Sequence, residues 1–166
     1  MRILGVDPGL RFTGYGCVET SGSDSARFPF DPNLVEAGVL KLPHRDPIHD
    51  RLVTLHADLL ELLGRLKPDC VAVEKLYAHY AHPTTAIKMG HARGVILLTA
   101  SEAGYELREL AATEVKKSVT GNGHASKQQV RSAVQAILGV TEQLEPLDVS
   151  DALAIAITTL TRMGTE

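Results

Sequence analysis

The stretch that decides the fold is Arg2-Ile-Leu-Gly-Val-Asp7, followed directly by Pro8-Gly9. A short, continuous apolar run of this kind predicts a strand that is buried on both faces of a sheet. Pro8-Gly9 predicts a turn, after which residues 12–19 are expected to return as the second arm of a hairpin. Residues 34–42 predict a third strand, and the polar residues 20–33 before it predict a loop. Three early strands with short connections indicate an antiparallel meander.

The rest of the chain alternates between helical and extended patterns. Apolar side chains recur at helical spacing in residues 47–66, and Cys70-Val-Ala-Val-Glu74 is a second apolar run that ends in an acid. Further helices are predicted over residues 84–103, 112–119, 127–138 and 148–162, with a strand over residues 105–110. Strands that come first and then alternate with helices are typical of an α/β fold. We therefore expect one domain, residues 1–166, with a mixed sheet of about five strands flanked by helices.

Length and composition place the chain among ordinary globular proteins. It has 166 residues, of which 22% are charged and 44% are hydrophobic, and a domain of this size needs no disulfide to fold. The longest apolar stretches are far shorter than the ~18 residues that a membrane span needs, so no membrane partner is expected. Cys17 and Cys70 are the two cysteines, and no export signal is recognisable. A cytoplasmic location is therefore expected.

The charge is unevenly distributed along the chain. The net charge of −3 argues against a nucleic-acid partner, but residues 75–131 hold 8 Lys and Arg against 4 Asp and Glu. This basic block is a candidate surface for an anionic partner. The alternative interpretation is a solvated face of ordinary helices, and charge alone does not separate the two.

Four acids occupy positions that suit chemistry. Asp7 and Glu74 each end an apolar strand, and Asp148 and Asp151 begin the last helix three residues apart, on one face. A solvated sheet edge and ordinary helix caps would also account for them. If the two strands are parallel neighbours, the four carboxylates meet and need hard divalent cations to offset their repulsion. Two such ions can clamp a phosphodiester for hydrolysis.

The Pro8-Gly9 turn also has a phosphate-binding interpretation. Glycine lets the backbone approach a ligand closely, as in the Asp-x-Gly turns of two-lobed sugar kinases. Such a kinase needs a second, similar lobe, and 166 residues do not provide one. A site in which the four acids bind hard divalent cations for phosphodiester hydrolysis is therefore favoured over a kinase.

Five segments follow one another over nearly the whole chain. The first is Ile3-Leu-Gly-Val-Asp-Pro-Gly-Leu-Arg-Phe-Thr-Gly-Tyr-Gly16. The others are Val71-Ala-Val-Glu74, Ala86-Ile-Lys-Met-Gly-His-Ala-Arg-Gly94, Val115-Lys-Lys-Ser-Val-Thr-Gly121 with Lys127, and Asp148-Val-Ser-Asp-Ala-Leu-Ala-Ile-Ala156. Together, and in this order, these segments resemble the RuvC family of Holliday junction resolvases, whose opening signature the first segment matches.

The resemblance implies a ribonuclease-H-like fold that works as a homodimer on four-way DNA junctions. It implies that Asp7, Glu74, Asp148 and Asp151 bind two divalent metal ions, Mg²⁺ or alternatively Mn²⁺, and catalyse strand cleavage. An aromatic residue near the junction centre is expected at Tyr77, where the family commonly has Phe. The residues expected to contact DNA are Tyr77, Lys88, Arg93, Lys116, Lys117, Lys127 and Arg131. Proteins of a branch-migration complex are expected as partners.

The activity that follows is resolution of the junction by paired nicks in strands of like polarity, which leave 5′-phosphate and 3′-hydroxyl ends. The alternatives are another ribonuclease-H-like nuclease and a module that binds junctions without cutting them. Gly90 and Gly94 lie four residues apart in a predicted helix and form a flat strip. The family comparison suggests a dimer contact there, and packing on the protein's own sheet is the alternative.

Overall fold

A sheet with helices on both faces forms the framework of the protein. The computed structural model describes residues 1–20, 31–76 and 83–165. The strands are β1 (Arg2–Asp7), β2 (Phe12–Thr20), β3 (Pro32–Lys41), β4 (Cys70–Glu74) and β5 (Glu106–Leu110). The helices are α1 (Ile48–Leu66), α2 (Pro83–Glu102), α3 (Ala112–Thr120), α4 (Lys127–Leu138) and α5 (Leu147–Met163).

The five strands form one mixed sheet in the order β3-β2-β1-β4-β5. The first three strands pair antiparallel, which confirms the predicted meander. β4 then pairs with β1, and β5 pairs with β4, both in parallel. The two apolar runs that end in acids are therefore parallel neighbours at the centre of the sheet, which is the arrangement that the four-acid hypothesis requires.

Alternation along the strands divides the core into two layers. Ile3, Val18 and Ala72 point to one face, where they pack against α3, α4 and α5. Leu4 and Val73 point to the other face, against α1 and α2. Both cysteines are buried thiols, one in each layer, and behave as small apolar side chains.

The predicted elements are all present, and their ends differ from the prediction by one or two residues. The largest difference concerns residues 20–33, which were predicted to be a loop. Thr20 and Pro32 pair as the last rung between β2 and β3, and residues 21–30 lie outside the described residues. Pro32 is compatible with this position because β3 is an edge strand, where a missing N–H leaves no partner unbonded.

Among the residues that the structure describes, every helix is too short or too polar to cross a lipid bilayer.

Candidate active site

The register of the two central strands places the first two acids side by side. Val6 of β1 lies opposite Val73 of β4, and the next residue in each strand is Asp7 and Glu74. Because side chains alternate between faces, both acids share the face of Ile3 and Ala72, which is the face covered by α5. The sequence pattern thus delivers two carboxylates to one corner of the sheet.

Helix α5 reaches the same corner because the sheet beneath it is lined with glycine. A Cβ atom on Gly5 would lie 2.1 Å from the carbonyl oxygen of Ala152, and one on Gly14 would lie 2.2 Å from that of Asp148. The backbone of the helix therefore rests directly on the backbone of β1 and β2. This contact fixes the first turn of α5, which carries Asp148 and Asp151.

The four predicted acids line one open cavity of about 420 Å³, here named the acid pocket. Carboxylate oxygens of Asp7, Asp148 and Asp151 all lie within 4.8 Å of one another. Two cations complete the pocket: Lys116 is part of its wall, and Lys127 places its Nζ 2.7 Å from Oδ2 of Asp151. The remaining lining residues are Pro8, Gly9, Phe12, Met89 and Ala112.

The electrostatics of the acid pocket reflect crowded negative charge. Burial raises the pKa of Asp7 well above its ordinary value, and the charges of Asp151 and Glu74 raise it further. Burial also raises the pKa of Glu74, again with a contribution from Asp151. Burial lowers the pKa of the Lys127 ammonium, but the hydrogen bond and charge of Asp151, with the other acids, outweigh this, so the pKa is raised overall. The pocket therefore favours the binding of positive charge.

The turn after Asp7 is held by a side chain that the sequence analysis did not single out. The buried Thr13 hydroxyl donates to the carbonyl oxygen of Gly9 at 2.7 Å and accepts from the Gly9 N–H at 3.3 Å. A Cβ on Gly9 would lie 2.1 Å from the carbonyl oxygen of Phe12, so this turn requires glycine. The spacing from Gly9 to Thr13 was the available signal for this interaction, but it is common in turns that have no site nearby.

The predicted DNA-contacting residues are not all placed alike. Lys88 and Lys117 are exposed on α2 and α3. Arg131 is mostly enclosed and lies 3.6 Å from the carboxylate of Glu145. Tyr77 lies outside the described residues.

Arg93 is enclosed within the protein rather than presented on a surface. Its side chain is only 19% exposed, and its guanidinium forms an ion pair with Glu109 of β5. Its Nε also donates to the main-chain carbonyl oxygen of Glu74 at 3.0 Å. The phosphate contact expected at Arg93 stays a prediction, whereas its two partners, 16 and 19 residues away, have no signal in the local sequence.

Comparison with known proteins agrees with this geometry. The family model described as crossover junction endodeoxyribonuclease RuvC matches residues 3–159. The crossover junction endodeoxyribonuclease RuvC of Rhodopirellula baltica is 43% identical over 155 residues, which cover 93% of this chain and 83% of that protein. RuvC of Thermus thermophilus is 36% identical, and its structure superposes with a TM-score of 0.84 over 99% of this chain and 98% of that one. The same protein in complex with a Holliday junction substrate gives a TM-score of 0.85, over 99% and 97% of the two chains.

A mixed sheet with acids at the ends of two central parallel strands, completed by acids of the last helix, is the arrangement of ribonuclease-H-like nucleases. The predicted fold class is thereby confirmed. Within that class, the chain belongs to the RuvC family of crossover junction endodeoxyribonucleases. The resemblance that the motifs indicated is therefore confirmed over nearly the whole chain.

Proposed function

We propose that this protein is a metal-dependent endodeoxyribonuclease that resolves Holliday junctions. The observation that carries the proposal is the acid pocket, in which four carboxylates converge beside Lys116 and Lys127 in an open cavity. Acids that can hold metal ions beside ammonium groups suit the hydrolysis of a phosphodiester. The names of the relatives, and the Thermus RuvC complex with a Holliday junction, support the same substrate for this chain.

The donor set of the acid pocket fits hard divalent cations. All four candidate ligands are carboxylates, and three of them approach within 4.8 Å of one another. Oxygen ligands of this kind suit Mg²⁺ and Mn²⁺. We propose that Asp7, Glu74, Asp148 and Asp151 hold two Mg²⁺ ions, with Mn²⁺ as the alternative. When bound, such ions activate a water molecule and stabilise the charge that develops on the scissile phosphate and the leaving oxygen.

The chain's own residues supply rigidity and positive charge. Asp7 and Glu74 are carried by the two central strands, and Asp148 and Asp151 by a helix whose backbone rests on the sheet. Ligands on such elements are positioned before the substrate arrives. The Lys127 ammonium donates to Asp151 in the free protein. In the complex, we propose that Lys127 and Lys116 also donate to phosphate oxygens at the mouth of the pocket.

Around the acid pocket, we propose a surface that follows the DNA backbone. Lys88 and Lys117 are exposed and free to approach phosphates, which position DNA without reading its sequence. Tyr77 stays a candidate for stacking on a base near the junction centre. Arg131 stays a candidate DNA contact. Its ion pair with Glu145 is long, at 3.6 Å, and the Glu145 side chain is exposed to solvent.

We further propose that the protein is a homodimer whose subunits meet along the outer face of α2. This face is formed by Ile87, Gly90, His91, Gly94 and Leu98, none of which is an acid, a lysine or an arginine. Ile87 is 62% exposed and Leu98 57%. A Cβ on either glycine would meet no atom within 4 Å, so the strip does not pack on the protein's own sheet. A second copy of the same apolar strip is the partner that suits it.

Sedimentation velocity would test the dimer. We expect Leu98→Glu to convert the protein to a monomer at micromolar concentration, because it places a carboxylate in the apolar contact. Ile137→Glu changes an exposed apolar residue of α4, 36% exposed, and serves as the matched control that stays dimeric. A Leu98→Glu protein that sediments like the unchanged chain would rule out this face.

A dimer explains the products that we propose. Two-fold symmetry presents two acid pockets to two strands of like polarity. Each pocket directs a water molecule to one phosphodiester, which leaves a 5′-phosphate and a 3′-hydroxyl. Paired symmetric nicks follow, and the ends can be ligated. We propose that residues 1–166 form one domain, which carries all four acids of the acid pocket.

The decisive experiment is cleavage of a mobile four-way junction, with the corresponding linear duplex alongside. We expect paired nicks only when Mg²⁺ or Mn²⁺ is present, with the duplex spared. Asp7→Asn should abolish cleavage and retain junction binding, because it removes a metal ligand and one negative charge that faces phosphate. Asp50→Asn makes the same change in charge on the exposed first turn of α1 and should cleave normally.

Other outcomes would point to the two alternatives. Equal cutting of duplex or RNA would indicate a different ribonuclease-H-like nuclease. Tight binding without cutting under either metal would indicate a junction-binding module. We also propose a cytoplasmic location, supported by two buried, unpaired thiols that suit a reducing compartment, and branch-migration proteins as partners. Co-purification with those proteins on a junction would test the last point.

A further inference from the structure

We propose that Arg93 is a positioning residue for Glu74, and that it holds the carboxyl end of β4 where cleavage requires it. Arg93 belongs to α2 and contacts no other acid of the acid pocket among the described residues. The inference rests on the proposed function, because it takes Glu74 to be a metal ligand.

The contacts of Arg93 join the ends of two neighbouring strands. Its Nε donates to the carbonyl oxygen of Glu74, the last residue of β4, at 3.0 Å. One of its terminal nitrogens, Nη2, forms an ion pair with Oε2 of Glu109 of β5. β4 and β5 are parallel, and Glu109 lies opposite Val73, one residue before Glu74. The planar guanidinium of Arg93 therefore bridges β4 and β5 at the position where the Glu74 side chain leaves the sheet.

The hydrogen bond to the main-chain carbonyl of Glu74 affects the Glu74 carboxylate because both groups belong to the same residue. A hydrogen bond from a charged guanidinium is shorter and stronger than one from a neutral donor. It restrains the backbone dihedrals of Glu74, and these set the direction in which the side chain leaves the strand. Partners that orient metal ligands in this way typically change metal affinity or activity 10–100-fold when they are lost.

The placement of Arg93 distinguishes it from the lysines around the acid pocket. The Lys127 side chain is 55% exposed and the Arg93 side chain 19%. The charge of Arg93 is already matched by Glu109, and its planar fork is used within the protein. Arginine suits this bidentate position, and lysine cannot make both contacts with the same geometry.

Arg93→Met tests the positioning role with a readout that is independent of cleavage. We expect Mn²⁺ affinity, measured without DNA, to fall about 10-fold, with a similar loss of kcat at saturating junction. Junction binding in EDTA should be unchanged within about twofold at every salt concentration. A lost phosphate contact would instead reduce the slope of log Kd against log salt by about 0.9. Lys88→Met, an exposed charge on the same helix, is expected to show that smaller slope with unchanged Mn²⁺ affinity.

Two further variants separate positioning from folding. Glu109→Gln keeps the shape of an exposed side chain, so it should fold even if Arg93→Met does not. It should lower Mn²⁺ affinity in the same direction, and the double variant should be no worse than Arg93→Met alone. Arg93→Lys should recover only part of the loss. Wild-type Mn²⁺ affinity in both Arg93→Lys and Glu109→Gln would overturn the inference, as would a reduced salt slope with unchanged kcat.

Glu74→Gln, measured in the same assays, separates this inference from the proposed function. If Glu74→Gln binds Mn²⁺ and cleaves like the unchanged chain, the proposed metal role of Glu74 fails, whatever the Arg93 variants do. If Glu74→Gln is inactive and the Arg93 and Glu109 variants are not affected, the metal role stands and only the positioning role fails.

Discussion

The two faces of the sheet are covered in opposite ways. On the face of α5, the strands present glycines: the helix backbone lies directly against Gly5 and Gly14, and the Leu153 side chain lies against Gly16. On the face of α1 and α2, the contact is made by large aliphatic side chains such as Leu4 and Leu59. Both layers exclude solvent to the same extent, since their central residues are fully buried.

The difference between the faces concerns precision. Side chains that interdigitate can change rotamer when a neighbour changes, so the α1 face can relax. A backbone that rests on a backbone has no such freedom, because any added atom moves the whole helix. The first turn of α5, which holds Asp148 and Asp151, meets the sheet at such a contact. We infer that this contact fixes those two acids, whereas the aliphatic packing on the other face mainly provides stability.

The largest effect is expected from Gly14→Ala. The added methyl group would lie 2.2 Å from the carbonyl oxygen of Asp148, so the first turn of α5 must move. We expect cleavage to fall at least 100-fold, and the free energy of unfolding to fall by about 3 kcal/mol. Junction cleavage and urea unfolding measure the two quantities. A variant that cleaves at the normal rate would show that the acids tolerate a displaced α5.

The second prediction concerns the charge within the rigid face. Asp7→Asn should abolish cleavage, yet raise the melting temperature of the metal-free protein by about 2 °C or more at neutral pH. The reason is that burial and neighbouring acids disfavour the Asp7 carboxylate in the folded state and raise its pKa. The Asp7 carboxylate destabilises the fold but serves the reaction, so its removal should raise stability and abolish cleavage.

The pH dependence of this gain has a definite sign. The native carboxyl binds its proton more tightly than the unfolded one, so the unchanged chain loses stability as pH rises above the ordinary carboxyl pKa. Below that pKa both states are protonated, and the variant has no advantage. Melting curves in EDTA from pH 4 to pH 8 should therefore separate progressively. A constant gap between the two proteins would contradict the origin assigned to it.

The third prediction concerns the opposite face. Leu59 is fully buried between α1 and the sheet, so Leu59→Ala should lower the free energy of unfolding by about 2–5 kcal/mol. The cleavage rate per folded molecule should stay within about twofold, because the backbone contact that fixes Asp148 and Asp151 lies on the other side of the sheet. Activity measured at 15 °C, with the folded fraction determined by circular dichroism, tests this. A large loss of rate in fully folded protein would mean that both faces position the site.

The sequence predicted the local features of the site better than the contacts between distant elements. An apolar run that ends in an acid, present at Asp7 and again at Glu74, was enough to place two carboxylates, because strand periodicity is local. Asp148 and Asp151 followed from their spacing in one helical turn. The meander was also predictable from short connections. These features depend on residues within a few positions of one another.

The close approach of α5 was not predicted, because its partners are far apart in sequence. Gly5 and Ala152 have no local signal in common, and glycine in a strand usually indicates weak pairing or a bulge. The same reason applies to the internal contacts of Arg93, which the sequence analysis did not predict. Its partners at Glu74 and Glu109 depend on which strands are neighbours, and that is known only once the sheet is formed.

The smallest effect is expected from Gly64→Ala, a glycine substitution on the solvent side of α1. Gly64 is exposed in α1, where an added Cβ would meet no atom within 4 Å. The helix should gain about 0.5–1 kcal/mol, since alanine loses less backbone entropy than glycine on folding. We expect a melting temperature about 2–4 °C higher per kcal/mol gained, with unchanged cleavage. If Gly64→Ala instead lowered activity as Gly14→Ala does, the loss of cleavage would not depend on contact with α5, and the backbone contact at Gly14 would not explain how Asp148 is held.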